Sequence, residues 1–292
     1  MSKSRPGKLG PVVVTGTSTG IGAATAVYLA NRGFRVFAGV RREADAEPLS
    51  SQTKGELTGL LIDITDGAMI SSAVETVSAA VGERGLAGLV NNAGIVMPGP
   101  LEFQPLADFR EQLEVNLIGQ LAVTQAFLPL IRRGKGRIVN VGSIGGRLVL
   151  PIHGAYHASK FGMEALSDAL RLELRQWRIP VSLVDPGATK TAIFGKTLAA
   201  LDAMQRTLGE GGHQEYDAQM AAIRRTVEKT AAGAAPPIEL AKAIAEALTA
   251  DKPKARYLAG AGAKAAVALA RTPSDRVKDL AVAKDVGLPD PE

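Results

Sequence analysis

The chain has 292 residues, enough to bury a sizeable core, and no cysteine, which excludes disulfides, zinc–thiolate centres, iron–sulfur clusters and thiol nucleophiles. Thirty-four Lys and Arg against 29 Asp and Glu leave a formal charge of +5, and the basic residues are scattered rather than gathered into the face or stripe that nucleic acid requires. No run approaches the roughly 18 apolar residues that span a membrane, and the apolar stretch Pro11 to Val14 after the basic segment 1–8 is too short for a signal peptide, so a soluble cytoplasmic protein is expected.

Short β-branched runs alternate with longer helical patterns. Strands are predicted at 12–15, 35–40, 57–62, 88–91, 137–141, 181–184 and 256–259. They are nearly continuously apolar, as strands of a parallel sheet covered on both faces should be. Helices are predicted at 21–32, 68–81, 106–131, 155–177 and 238–250. The alternation implies the α/β class, a Rossmann-like doubly wound sheet of seven parallel strands flanked by helices. No Pro/Ser/Gly-rich linker interrupts it, so residues 1–292 read as one domain with its core over 9–260.

One segment breaks the rhythm. Between 188 and 237, Leu198, Leu201, Met204 and Leu208 fall at helical spacing, Gly209, Gly211 and Gly212 interrupt, and Tyr216, Met220, Ile223 and Val227 resume a helix. A long insertion of this kind is expected as a helical lid over a substrate, or as a hairpin that caps the core. The tail, 261–292, carries an amphipathic stretch through Val267, Leu269, Val277 and Leu280 and a Pro-rich end.

Thr15, Gly16, Thr17, Ser18, Thr19, Gly20, Ile21 and Gly22 follow the first strand and open a helix. Gly16 permits a tight turn, Gly20 removes a side chain where a pyrophosphate approaches the backbone, and Gly22 lets helix and strand pack closely. The helix end offers unpaired N–H groups and a positive dipole to phosphate. No Lys-Ser/Thr pair ends the turn, so it is not a P-loop.

This turn resembles that of the short-chain dehydrogenase/reductase family, and it does not stand alone. Asn91, Asn92, Ala93 and Gly94, then Ser143, then Tyr156 to Lys160, then Pro186 and Gly187 occur in the family's order and spacing over about residues 10–260. The resemblance implies a dinucleotide-dependent alcohol dehydrogenase or carbonyl reductase. The chemistry agrees with it. Tyr156 and Lys160 are four apart and share a helix face. Carbonyl reduction needs a proton donor at the nascent alkoxide. A phenol titrates near 10, and bringing it to about 7 takes roughly 4 kcal/mol. An ammonium about 4 Å away at an effective dielectric near 20 supplies that much. Ser143 can donate to the substrate oxygen. The resemblance further implies that Asn116 holds a water in a proton relay to Lys160.

The second strand ends in Val40, Arg41 and Arg42 where an acidic residue would bind a ribose diol. Arginine pairs with a 2′-phosphate, so NADP(H) is expected at Arg41, with NAD(H) as the alternative. By the resemblance, Asp63 and Ile64 meet the adenine, and Asn91, Ala93 and Gly94 border the cofactor. Pro186, Gly187, Thr189 and Thr191 reach its carboxamide and diphosphate. Val96, Ile144, His153, Ile193 and Phe194 are the candidate substrate pocket, with Ile95, Met97, Leu148 and Ile152 around them. Such an apolar pocket suits a bulky hydrophobic alcohol or ketone, and the stretch 156–194 looks like that of hydroxysteroid and retinol dehydrogenases. His153, His157 and His213 have no regular spacing to carboxylates, so no metal site is expected; His157 is expected to face away from the pocket. The family's habit implies a homodimer or homotetramer. A non-catalytic dinucleotide-binding sensor on the same fold is the competing reading.

Overall fold

Alternate residues of each buried strand point to opposite faces, and here both faces are covered. Val13, Phe37, Leu89 and Ile138 pack on one side with Val77, Phe127 and Leu170. Val12, Val14, Val36, Val90 and Val139 pack on the other with Leu29, Leu240 and Ile244. A computed structural model describes residues 9–211, 213–272 and 274–288. The basic segment 1–8, Gly212, Pro273 and the end of the tail from 289 lie outside the described residues.

The chain runs β1 (Pro11–Val14), α1 (Gly20–Asn31), β2 (Arg35–Val40), α2 (Glu47–Ser51), β3 (Leu57–Leu61), α3 (Gly67–Val81) and β4 (Gly88–Asn91). Then come α4 (Leu106–Leu113), α5 (Gly119–Gly134), β5 (Arg137–Val141), α6 (Gly154–Glu173) and β6 (Val181–Pro186). Helices α7 (Ile193–Glu210), α8 (Asp217–Ala232) and α9 (Ile238–Thr249) precede β7 (Arg256–Ala259), and α10 (Ala263–Ala270) and α11 (Asp275–Val286) close the described chain. All seven strands are parallel, in the order β3-β2-β1-β4-β5-β6-β7. Successive strands run outward from β1 to β3, and the chain then returns to the far side of β1 for β4. That reversal opens a crevice at the carboxyl ends of β1 and β4, where a ligand of such a sheet sits.

The strands lie where the apolar runs put them, within two residues. The helices hold three departures. The segment 106–131 is not one regular helix: a π-helical turn, Glu114–Ile118, joins α4 to α5. Taken together, Leu106–Gly134 is long and apolar enough to cross a membrane by length and composition, although polar residues interrupt its apolar run. Its apolar side is used in the core, where Val123, Phe127 and Ile131 are fully covered. Gly209 does not end a helix, because α7 begins at Ile193 and carries on past it to Glu210. The amphipathic stretch of the tail divides into α10 and α11, and Val282 and Val286 of α11 join Ile152, Leu201, Met220 and Ile223 in a third apolar cluster. The segment expected as a lid is therefore packed on both the core loop around Ile152 and the tail.

Candidate active site

Gly16 and Gly20 sit at φ +67° and +62°, a region glycine enters at no steric cost. A Cβ on Gly16 would lie 2.7 Å from Ala93 Cα, and one on Gly22 would overlap the Gly16 carbonyl oxygen. Thr19 precedes α1 without making a capping bond, and the first turn of α1 carries no acidic residue. The leading N–H groups and the positive helix end are thus left for an anion. Ser18 and Thr19 are exposed, and Ile21 is half-buried. Thr17 faces inward instead and donates Oγ1 to Gly39 O at 3.0 Å, pinning the turn to β2. The other anchor is Asn92, whose Nδ2 donates to Thr15 O at 2.9 Å and Gly16 O at 3.0 Å. Thr15 Oγ1 accepts the Asn92 and Ala93 N–H groups at 2.9 and 3.1 Å. Asn92 entered the sequence reading only as part of the Asn-Asn-Ala-Gly motif, with no site role of its own; the structure gives it one, as the anchor of the glycine turn. An open helix end and a turn that has glycine at 16 and 20 fit a dinucleotide's diphosphate.

At the end of β2, Arg42 is tied to Asp45 by bonds of 3.1 and 2.8 Å. Arg41 is exposed and makes no hydrogen bond or ion pair with the described residues, so it is the arginine left for a ligand. Asp63 Oδ1 accepts from Thr65 N–H at 3.0 Å and Thr65 Oγ1 at 2.7 Å. Partial burial opposes its ionisation, but the Thr65 donors and nearby Arg41 hold the carboxyl below the usual range. Ile64 is buried beside it. Asn91 is locked in the sheet, donating Nδ2 to Thr124 Oγ1 at 2.8 Å and Asn140 Oδ1 at 2.9 Å. Gln120 donates to Ala93 O, and Gly94 lies against the Asn116 amide. Pro186 closes β6, and Gly187 N–H donates to Ala259 O at 2.8 Å. The Thr189 hydroxyl is turned inward to Gly187 O at 3.1 Å. Thr191 faces the glycine turn, where a Cβ on Gly20 would come within 3.0 Å of its Cγ2.

Ser143, Tyr156 and Lys160 come together at the end of β5 and the first turns of α6. Ser143 Oγ accepts Gly145 N–H at 3.0 Å and is within hydrogen-bond reach of the Tyr156 phenol. Lys160 Nζ donates to Val141 O at 3.0 Å and lies 5.9 Å from the Tyr156 ring centroid. Burial pushes the phenol above its ordinary value, the Ser143 hydrogen bond pulls down, and Asp185 pushes up again. Burial also lowers Lys160 to about 8, with Asp185 resisting. Burial thus opposes the shift that Lys160 is expected to favour, and the positive charge of an oxidised nicotinamide is expected to add to the lysine's.

Asn116 sits in the π-helical turn. Its Oδ1 accepts Ile95 N–H at 2.9 Å, and its Nδ2 donates to Ile95 O at 3.0 Å and Ser159 Oγ at 3.1 Å. Ser159 Oγ in turn donates to Tyr156 O at 2.6 Å. Both amide hydrogens are taken up, so the side chain fastens the 95 loop to the back of Tyr156.

Val96, Ile144, Ile193 and Phe194 are half-buried, and His153 is buried. Gln112 holds the 95 loop, accepting Met97 N–H and donating to Ile95 O at 2.8 Å each. Burial depresses His153 to about 4, so it is neutral, with Nδ1 donating to Pro151 O at 3.3 Å. His157 has both nitrogens engaged: Nδ1–H donates to Gly145 O at 2.8 Å and Nε2 accepts Leu150 N–H at 2.9 Å. It clasps the loop behind Ser143 and does not face the pocket. Ile152 has φ +66°, strain of order 1–3 kcal/mol for such a residue. It is retained between His153 and the apolar cluster with Leu201 and Met220.

A parallel sheet with a glycine turn at its switch point and a Ser–Tyr–Lys constellation beside it defines a dinucleotide-dependent oxidoreductase of the short-chain type. The chain belongs to the short-chain dehydrogenase family, whose profile (short chain dehydrogenase) matches residues 11–202. It is 38% identical to human 17-beta-hydroxysteroid dehydrogenase type 6 over 263 residues, covering 87% of this chain and 81% of that protein. It is 38% identical to human retinol dehydrogenase 16 over 258 residues, with the same coverage of 87% and 81%. A metagenomic short-chain oxidoreductase solved in complex with NADP superposes with a TM-score of 0.64 at 27% identity, covering 87% of this chain and 97% of that one. The protein is a short-chain NAD(P)-dependent dehydrogenase.

Proposed function

We propose that this enzyme interconverts a secondary alcohol and a ketone on a hydrophobic skeleton, steroid-, retinoid- or lipid-like, with NADP(H) as the preferred dinucleotide. The observation that carries the reading is the Ser143–Tyr156–Lys160 constellation at the carboxyl end of β5, beside a glycine turn fitted to a diphosphate. The apolar residues Val96, Ile144, Ile193 and Phe194, and relatives named for hydroxysteroids and retinol, support the substrate class. Unpaired Arg41, in place of an acidic residue, and the NADP-bound neighbour support the dinucleotide choice.

When bound, the dinucleotide supplies the hydride and, in its oxidised form, a positive charge. Ser143 Oγ donates to the substrate oxygen and aligns it. Tyr156 Oη gives its proton to the oxygen during reduction and takes it back during oxidation. Lys160 stabilises the phenolate that results, and its bond to Val141 O holds the ammonium in place. Asn116, through Ile95 and Ser159, fixes the pocket wall and the Tyr156 backbone. The segment 188–237 acts as the lid, and the chain works as a homodimer or homotetramer in the cytoplasm. Exposed Leu106, Ile118, Phe161 and Leu172 on the α4–α5 and α6 helices support that assembly.

The test is NADPH consumption with a panel of hydrophobic ketones and NADP⁺ reduction with the matching alcohols. Turnover in either direction is expected. Tight NADPH binding without turnover on any of them would favour the sensor reading instead.

A further inference from the structure

Behind the constellation lies a charged network that the reaction as described does not use. Asp185, the residue before Pro186 on β6, is 0% exposed. Its Oδ2 is held by Arg147 at 3.1 Å. Arg147 also binds Glu164 at 2.9 Å, Glu164 binds Arg256 at 2.8 Å, and Arg256 binds Asp168 at 2.7 Å. Cations and anions alternate from the surface inward, and the row ends at Asp185. Its Oδ1 is buried with no hydrogen-bond partner.

That oxygen lies against the catalytic strand. Gly142 N–H donates to Val184 O at 2.8 Å, which sets Asp185 beside Gly142. A Cβ on Gly142 would overlap Asp185 Oδ1, so a residue with any side chain there would displace the carboxylate. Gly142 stands between Val141, whose carbonyl receives the Lys160 ammonium, and Ser143. Asp185 thus lies against the residue next to the carbonyl that receives Lys160, and its charge acts on that ammonium. The charged and titratable groups around Asp185 are Arg147 after β5, and Tyr156, Lys160 and Glu164 on α6, with Arg256 of β7 reaching it through Glu164.

We propose that Asp185 is a positioning residue whose buried, half-paired carboxylate keeps Lys160 in its ammonium form, so that proton transfer at Tyr156 is set partly by a charge network running to the surface through Arg147. This rests on the dehydrogenase reading given above. Burial, then the Glu164 carboxylate, pushes Asp185 up to about 7, while Arg147 draws it down. Asp185 raises both Lys160 and Tyr156. Its removal therefore lowers both groups together, which loss of packing alone has no reason to do.

The experiment follows the side-chain carbon shifts of ¹³C-labelled lysine by NMR across pH, with Lys160 assigned by its loss in Lys160→Arg. It needs neither cofactor nor substrate, so it stands apart from any failure of the proposed activity. In Asp185→Asn, Lys160 is expected to titrate lower than in the native chain by about half a unit or more. In turnover, both limbs of the kcat/KM profile move toward acid, and Asp185→Glu restores the native positions. If Asp185→Asn does not fold, Arg147→Met tests the same point. Without that cation Asp185 stays protonated to higher pH, and Lys160 again titrates lower. An unchanged Lys160 titration in the variant that folds overturns the assignment, as does a uniform loss of rate with both limbs unmoved.

Discussion

Replacing Gly22 by alanine tests the glycine turn against an ordinary helix. Inside an unconstrained helix, Gly→Ala gains about 1 kcal/mol. Gly22 is not unconstrained. Its added Cβ would overlap Gly16 O and the Asn92 amide nitrogen and lie 2.9 Å from Gly16 C. Overpacking of this kind costs about 1–3 kcal/mol. Displacing the Asn92 amide also gives up its bonds to Thr15 O and Gly16 O, at about 1 kcal/mol each. The balance is a loss of roughly 2–4 kcal/mol, and each kcal/mol is worth about 2–4 °C in Tm for chains of a few hundred residues. Because the turn itself must move, NADPH affinity should fall at least tenfold, by about 1.4 kcal/mol or more. Gly195 is the control: it lies in α7 with nothing within 4 Å of its built Cβ, so Gly195→Ala should gain about 0.5–1 kcal/mol. Calorimetry with NADPH titration reads all of this. A Gly22→Ala protein that is stabilised like the control and binds NADPH normally would refute the reasoning.

Arg41→Asp should weaken NADPH about ten- to a hundredfold, the worth of one charge-assisted pair at 1.5–3 kcal/mol, and spare or improve NADH; equal losses for both exclude a 2′-phosphate contact. Stability should also fall in acid. His153 is held near 4 when folded against about 6.5 unfolded, so the unfolded chain binds the extra proton between those values and stability rises with pH through that window. By pH 5 His153 alone should have cost about 2 kcal/mol relative to neutrality, visible in urea unfolding and removed in His153→Gln; an identical pH slope in that variant contradicts the burial of a neutral ring. Phe161→Glu should shift the mass measured by light scattering to a smaller species if α6 forms the interface, and an unchanged mass removes α6 from it.

The sheet was legible because its signal is local. Seven apolar runs separated by helical periods leave few topologies, and the glycine turn marked the switch point between β1 and β4. Tyr156 and Lys160 were legible for the same reason, being one helical turn apart. What the sequence hid is long-range or conformational. Asn116 was picked out by the resemblance alone, and only the fold shows it bonded to Ile95 and Ser159, 21 and 43 residues away. Arg147 and Asp185 are 38 residues apart and Arg256 and Glu164 92 apart; no spacing rule joins them. Gly209 was read as a helix break, yet an exposed glycine with nothing against it is only a weak point in α7. Ile152 at positive φ is the reverse case, a β-branched residue that local preference would never place there.

The most direct measurement is turnover by Tyr156→Phe beside the native enzyme, with NADPH affinity determined on the same samples. Removing one oxygen from the centre of the constellation should leave binding within a few fold and reduce the rate by about 10²–10⁴, the usual share of a positioned acid–base. A phenylalanine variant that turns over as fast as the native chain would contradict the assignment of the proton to this phenol.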